Sequence, residues 1–350
     1  MSKKLVSIIL AGLLLTVLVA CGGEQTDSEV KQEETTSESS NDAPAEKVQP
    51  QDRFLRIGSG PMGSGWYPIT TTLSEVYMDG FDGLNASQLE GGSVSNLKAM
   101  ELGDIEYSIN YTSDFIDAIE GNGDFEEALT KPAGLASIYP VFQTIATLAD
   151  RNEINTIEDI ISKHIFLGPQ NGGGPVAFWR MMEEYGYDEE TIKQAGGRIS
   201  YGNYSDGASM LTDGNVDVFV GGGAPQVTSL QEIELTREVK IIPIDQEQLE
   251  SLQSRGYGIS YENIPAGSYK GQDEDIPTYT LVTMLTVSND LNEDYVYHLT
   301  KMFWENMSEF ERSVPGRAEN FTLDTALDGI NEEMLHPGAK KYYEEVSALN

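Results

Sequence analysis

The sequence predicts an α/β fold of two similar lobes that face each other across a ligand cleft. Three observations predict it. From Phe54 onward short apolar runs alternate with amphipathic helical stretches. One junction (helix-stopping glycine, turn residue, apolar residue, acid, strand) occurs twice, as Gly103-Asp104-Ile105-Glu106 and Gly214-Asn215-Val216-Asp217. The spacing from strand-end glycine to helix-stop glycine is 45 residues in one half (Gly58 to Gly103) and 46 in the other (Gly168 to Gly214).

The elements follow in order. Phe54 to Ile57 is a strand running into the loop Gly58-Ser59-Gly60. Pro68 suits a first helical turn, and Ile69, Leu73, Val76 and Tyr77 then share one helical face. Val94, Leu97 and Met100 mark a second helix, stopped by Gly103. Ile105 to Asn110 alternates as a strand. In the second half Ile165-Phe166-Leu167-Gly168 runs into Pro169-Gln170-Asn171-Gly172-Gly173-Gly174, and Pro175 opens a helix with Val176, Trp179 and Met182 on its apolar face. A helix through Ala208 and Leu211 ends at Gly214, before the strand Val216 to Val220. Lys240 to Ile244 and Thr280 to Val287 add strands. Tyr295 to Glu309 is a long amphipathic helix through Val296, Leu299 and Phe303, and Ala339 to Leu349 a last short one.

The N-terminus reads differently. Lys3 and Lys4 precede an apolar run, Leu5 to Ala20, that ends Leu18-Val19-Ala20-Cys21-Gly22. This resembles a bacterial lipobox, in which cleavage precedes the cysteine and its sulfur carries the lipid. An ordinary signal peptide or a weak anchor helix is the alternative. Residues 1–20 are therefore expected to be a lipoprotein signal peptide and 21–52 a disordered acidic tether, too polar to offset its chain entropy. Residues 53–147 and 246–350 are expected to form lobe I with the C-terminal helices, and 148–245 lobe II.

Charge and rare residues exclude several functions. The chain carries 57 acidic against 22 basic residues, a net −35, of which −30 lies at or beyond Arg53. That rules out a nucleic-acid partner bound by phosphate neutralisation. A solvated acidic surface or a high-salt or alkaline habitat would account for it. The single cysteine leaves no internal disulfide and no cysteine-rich metal site. His164, His298 and His336 are scattered, so neither metal nor cofactor is expected.

Gly58-Ser59-Gly60-Pro61-Met62-Gly63 is a literal G-x-G-x-x-G, but Ser64 to Tyr67 intervene before Pro68. The loop is too long for a dinucleotide fingerprint and better suited to wrapping a small ligand against a helix N-terminus. Ser95-Asn96-Leu97-Lys98 is a literal S-x-x-K without its K-T-G or S-D-N partners. A secreted hydrolase using Ser64 or Ser95 is the enzymatic alternative; no motif argues specifically for it, and the chain is read as a non-enzyme. The positive signal is the set of Gly/Ser/Asn-rich loops at strand–helix junctions in both halves: Gly58–Tyr67, Gly91–Ser93, Gln170–Pro175 and Gly221–Pro225.

In order and spacing these segments resemble the TAXI family, solute receptors of tripartite ATP-independent (TRAP) transporters. The matching segments are Ile57-Gly58-Ser59-Gly60 through Gly63-Ser64-Gly65-Trp66-Tyr67-Pro68, Gly91 to Leu97 with Ser113-Asp114, and Asp213 to Phe219 with Gly222-Gly223-Ala224-Pro225. Ile264 to Tyr269, Tyr295-Val296-Tyr297 and Leu335 to Ala339 are similar to its C-terminal features. The resemblance implies a two-lobed periplasmic-binding-protein fold, type II-like, without catalysis. It implies an extracytoplasmic, lipid-anchored receptor that delivers a small organic acid or amino acid, such as glutamate or 2-oxoglutarate, to a TRAP permease. A substrate-binding lipoprotein of an ABC importer, or a sensor, is the alternative.

Carried over by the resemblance, the cleft is lined by Ser59, Ser64, Gly65, Trp66 and Tyr67, then by Ser93 and Asn96, and by Tyr111 and Asp114. Asn171, Gly173 and Gly174 form the second-lobe anion loop, which Gly222, Gly223 and Pro225 close. None of the nine arginines falls within these segments; Arg180 is the nearest. An anionic solute is therefore expected to rest on helix N-termini and backbone N–H groups alone.

Overall fold

The computed structural model describes residues 47–255 and 258–349. Cys21, the expected signal peptide and most of the expected tether lie outside them. Val48 is already docked, in a bridge with Phe81, so the folded body begins before Arg53.

The first half alternates strictly: β1 Phe54–Gly58, α1 Trp66–Gly80, β2 Asn85–Leu89, α2 Ser93–Leu102, β3 Tyr107–Tyr111 and α3 Thr112–Glu120. The long strand β4, Pro132–Leu148, leads into the second half. There α4 Ile157–Ile160, β5 His164–Phe166, α5 Gly173–Glu184, α6 Glu189–Gln194, β6 Arg198–Ser200 and α7 Tyr204–Thr212 come first. They are followed by β7 Val218–Gly223, α8 Thr228–Ile233, β8 Val239–Ile241 and α9 Gln246–Ser254. The hairpin of β9 Ile259–Ile264 and β10 Ile276–Ser288 precedes α10 Glu293–Glu305, α11 Met307–Ser313, α12 Pro315–Ala318 and α13 Pro337–Glu345.

The sheet runs β2-β1-β3-β10-β4-β7-β5-β6, with β8 beside β4 and β9 beside β10. β1, β2 and β3 are parallel, as are β5, β6 and β7, while β4 and β10 pair antiparallel with each other and with their other neighbours. Two parallel units joined by a pair of long antiparallel strands make a curled mixed sheet, the two-lobed α/β architecture of type II periplasmic binding proteins.

The duplicated junction has a structural counterpart in each unit. Gly103 and Gly214 end their helices at φ 79° and 73°, the left-handed region a glycine occupies without a Cβ penalty. The acid immediately before each strand then accepts a backbone N–H from the neighbouring first strand. Glu106 takes Arg56 N at 2.8 Å, and Asp217 takes His164 N at 3.0 Å.

β4 contains no charged residue and is buried along almost its whole length, as a strand covered on both faces must be. Pro140 is its one exposed residue and lies beside the register shift against β10 at Thr283/Met284, where a missing N–H is tolerated. The core divides into a main cluster and a second one around Phe166 and Phe219, stacked at 5.5 Å.

Several boundaries differ from expectation. The helix expected over Tyr295–Glu309 breaks at Asn306, whose side-chain amide donates to Met302 O at 2.8 Å. The strands expected from Ile105 and Val216 begin two residues later, because those two side chains are spent plugging the turns. In α5 the buried face is Ala177, Phe178, Met181 and Met182, with Val176 and Trp179 at its half-buried margin. Pro175 is the third residue of that helix, not its first. The last helix ends at Glu345.

Candidate functional site

Six strand–helix junctions converge at the carboxyl ends of the parallel strands. The β1–α1, β2–α2 and β3–α3 turns come from the first half, and the β5–α5, β6–α7 and β7–α8 turns from the second. Between them lies a pocket enclosing about 440 Å³, the space at its open mouth included. Its walls are mainly apolar: Trp66, Tyr111, Tyr139 and Tyr204, with Val141 from β4. The Trp66 and Tyr111 rings lie 4.6 Å apart, and the indole N–H donates to Thr283 Oγ1 at 3.2 Å, which fixes the indole.

Nine of the residues expected in the cleft line this cavity: Ser64, Gly65 and Trp66 from the first loop, Ser93 and Tyr111 from the next two junctions, and Gly173, Gly174, Gly222 and Gly223 from the second half. The others stand elsewhere. Ser59 is fully buried and bonds Thr70 Oγ1 at 2.6 Å, so it braces the first loop from behind. Asn96 donates to Ser59 O at 2.9 Å and to Ile109 O at 3.0 Å, tying the ends of β1 and β3 together. Tyr67 contributes its carbonyl, which accepts from Gln88 Nε2 at 3.2 Å, and its ring does not line the cavity. Asn171 is exposed; its carbonyl takes Ser95 N at 3.1 Å, linking the second-half loop to the first turn of α2. Pro225 follows a cis peptide bond just outside the cavity wall.

Asp114 is 2% exposed and stands behind the wall. A Cβ at Gly173 would collide with its Oδ2 and with the Tyr111 ring, so only glycine permits this approach of α5 to α3. Oδ2 has no hydrogen-bond partner within the protein. Burial pushes the Asp114 carboxyl up to about 7, and the Ser93 hydroxyl and the Arg180 guanidinium offset this only in part.

The expectation of an arginine-free cleft fails. Arg317, from α12, lines the cavity. Its Nη2 donates to Thr228 Oγ1 at 3.0 Å, at the start of α8, while Nε has no partner within the protein. A Cβ at Gly65 would lie 2.5 Å from Nε, so the bare glycine gives the guanidinium its room. Burial raises the Tyr139 phenol and Arg317 lowers it in part, as a nearby cation does. Ser64 Oγ, also on the cavity wall, is a second buried polar atom without a partner. Since buried polar atoms are nearly always satisfied, two such atoms on one cavity are available to a polar ligand or to water.

Sequence reasoning missed Arg317, Tyr139 and Tyr204. Nothing in Val314-Pro315-Gly316-Arg317 distinguishes that arginine, which arrives from far along the chain. Tyr204 did carry a signal. It opens α7 after β6 as Ser93 opens α2 after β2, and its hydroxyl accepts Gly222 N at 3.3 Å.

The three histidines do not form a site. His164 bonds Ser200, His336 caps α13 through Gly338 N, and His298 faces Asp294. Among the described residues there is no acid, histidine or cysteine cluster able to hold a metal ion, and no helix long and apolar enough to cross a membrane. The S-x-x-K serine, Ser95, uses its hydroxyl to bond Gly92 N and O at 3.0 Å, while Lys98 lies exposed over the Phe125 ring.

Among solved structures the chain is similar to a putative L-cystine ABC transporter from Listeria monocytogenes, with 11% identity over 77% of this chain and 99% of that one and a TM-score of 0.46. It is similar to the alkanesulfonate-binding protein SsuA from Xanthomonas axonopodis pv. citri bound to MOPS, with 14% identity over 87% and 81% and a TM-score of 0.45. An ancestral arginine-binding protein bound to arginine matches at 12% identity over 75% and 99%, with a TM-score of 0.42. The model of the NMT1-like family matches residues 57–346, and the chain belongs to that family.

Proposed function

We propose that this NMT1-like protein is an extracytoplasmic solute receptor, which closes on a small carboxylate-bearing solute and presents it to a membrane transporter. The observation that carries the reading is Arg317. Its Nε is buried without a partner in a cavity built from strand ends of both halves, while Nη2 is anchored on Thr228. Planar, permanently charged and forked, guanidinium is the side chain best matched to a carboxylate. In this reading residues 53–147 with 246–350 form one lobe and 148–245 the other, and Cys21 carries the lipid that holds the receptor at the membrane. Nine expected contact residues, Ser64 to Trp66, Ser93, Tyr111, Gly173, Gly174, Gly222 and Gly223, make the first layer around the solute.

Two transporter partners fit. An ABC importer corresponds to the alternative drawn from the sequence, and the names of similar structures include ABC transporter proteins. A TRAP permease corresponds to the ordered TAXI-like segments. Uptake by cells carrying the receptor separates them: depletion of ATP stops an ABC importer, and collapse of the ion gradient stops a TRAP permease.

Binding is tested by titration calorimetry of the purified chain against monocarboxylic acids, dicarboxylic acids and amino acids, with thermal unfolding in parallel. At least one is expected to bind and to raise Tm. A folded chain that binds none would overturn the receptor reading.

A further inference from the structure

Resting on that reading, we propose that the solute carries a single carboxylate, held on Arg317, and that dicarboxylates such as 2-oxoglutarate are excluded. The inference comes from counting charge around the cavity. Arg317 is the only Lys, Arg or His side chain among its lining residues. Beneath it lies the N-terminus of α1, fifteen residues long, with Gly65 as N-cap, no side-chain cap and no acid in its first turn. The helix adds its partial positive charge to the guanidinium on that wall. Ser64 Oγ, buried and unpartnered, stands on the same loop and supplies a hydroxyl to the same carboxylate.

The wall formed by the starts of α2 and α5 has an acid behind it. There α2 begins at Ser93 and α5 at Gly173, both with glycine N-caps and no acid in the first turn. The acid near those N-termini is Asp114, whose Oδ2 sits against Gly173 and whose ionised form the Ser93 hydroxyl favours. Asp117 and Asp124 lie nearby and Arg180 offsets them, paired with Asp117 at 2.5 Å. A second carboxylate would thus meet no free cation and an acid behind the wall, in a cavity lined by aromatic rings that solvate charge poorly. A solute with one carboxylate, with or without an α-amino group, fits the remaining charge.

The test is calorimetric titration of the full chain at about pH 8, where Asp114 is ionised. The probes are butyrate, 2-oxobutyrate and 2-aminobutyrate against succinate, glutarate and 2-oxoglutarate, with butyramide as the uncharged control. At least one monocarboxylate is expected to bind, with the dicarboxylates and the amide on the order of a hundredfold weaker. Comparison of the 2-oxo and 2-amino probes shows whether an amine is also read. Arg317→Gln is expected to lose on the order of a hundredfold and Arg317→Lys less, because the ammonium keeps the charge but loses the fork. Asp114→Asn is expected to narrow the gap between mono- and dicarboxylates. Circular dichroism of each variant checks its fold. Dicarboxylates binding as tightly as monocarboxylates, or full affinity in a folded Arg317→Gln, would overturn the inference while leaving the receptor reading in place. Binding of no probe by the folded chain counts against both.

Discussion

Three residues set the behaviour of the cavity, and each makes its own forecast. Arg317 joins the start of α8 to the cavity wall, so its loss is read in affinity. Gly173 is where α5 meets Asp114 and Tyr111. Gly173→Ala forces the two helices apart, at a cost of about 1–3 kcal/mol for an overpacked contact. If that contact belongs to the liganded form, calorimetry will show binding weakened about five- to hundredfold while the unliganded Tm barely moves. A drop in Tm with affinity intact would place the contact in the unliganded state too. Asp114 adds pH dependence. Its carboxyl rises from 3.8 to about 7 in this buried setting, so the buried form holds the proton that a solvated carboxyl releases. Any step that buries it takes up a proton. Affinity should fall as pH rises through that window, by up to about tenfold per unit, and level off above it. Asp114→Asn should flatten the profile, measured above about pH 5.5 so that the solute stays ionised. A wild-type profile already flat from there to about pH 8 would show that binding does not bury Asp114.

At the scale of elements, the repeat was the most legible feature of the chain. The Gly-turn-apolar-acid junction announced itself in four residues because each position has a separate physical job. The glycine takes the left-handed turn, the apolar residue plugs the core, and the acid ties to the neighbouring strand. A Cβ at Gly103 or Gly214 has its nearest neighbour no closer than 3.5 Å, so replacement by alanine costs only the strained φ, about 1–2 kcal/mol at each. Urea unfolding should give matching values for the two variants; a difference above about 1 kcal/mol would mean the junctions are not equivalent. The strand β4 was not legible. Its run from Pro132 to Leu148 lacks charge and alternation because both faces are covered, and periodicity cannot register such a strand. Tyr139 stayed hidden with it. The first-loop and glycine contacts of the cavity were readable because loop composition follows local backbone need. Arg317 was not, because only tertiary structure brings α12 to that wall.

For the whole molecule, the acidity excludes nucleic acid and now contrasts with its own cavity. A body of −30 repels an anion at a distance, while the guanidinium and the α1 terminus attract it at contact. Association of a monocarboxylate should therefore quicken as salt rises from about 20 to about 300 mM and screening removes the distant repulsion. Stopped-flow tryptophan fluorescence, with Trp66 in the wall as reporter, measures this; a rate that falls with salt would show that the local field already dominates the encounter. Small-angle scattering with and without a bound monocarboxylate should show compaction, and identical profiles would remove closure from the mechanism.

The sheet order carries one more consequence, for how the chain comes to exist. β10, residues 276–288, is the strand that sits between β3 and β4. The first parallel unit therefore cannot join β4 until the chain has been delivered through residue 288, and the cavity gains its cation only with residue 317. A polypeptide emerging from its N-terminus would have its glycine loops while still lacking Arg317. In chain order, the strand that joins the two parallel units comes first and the cation of the cavity wall last.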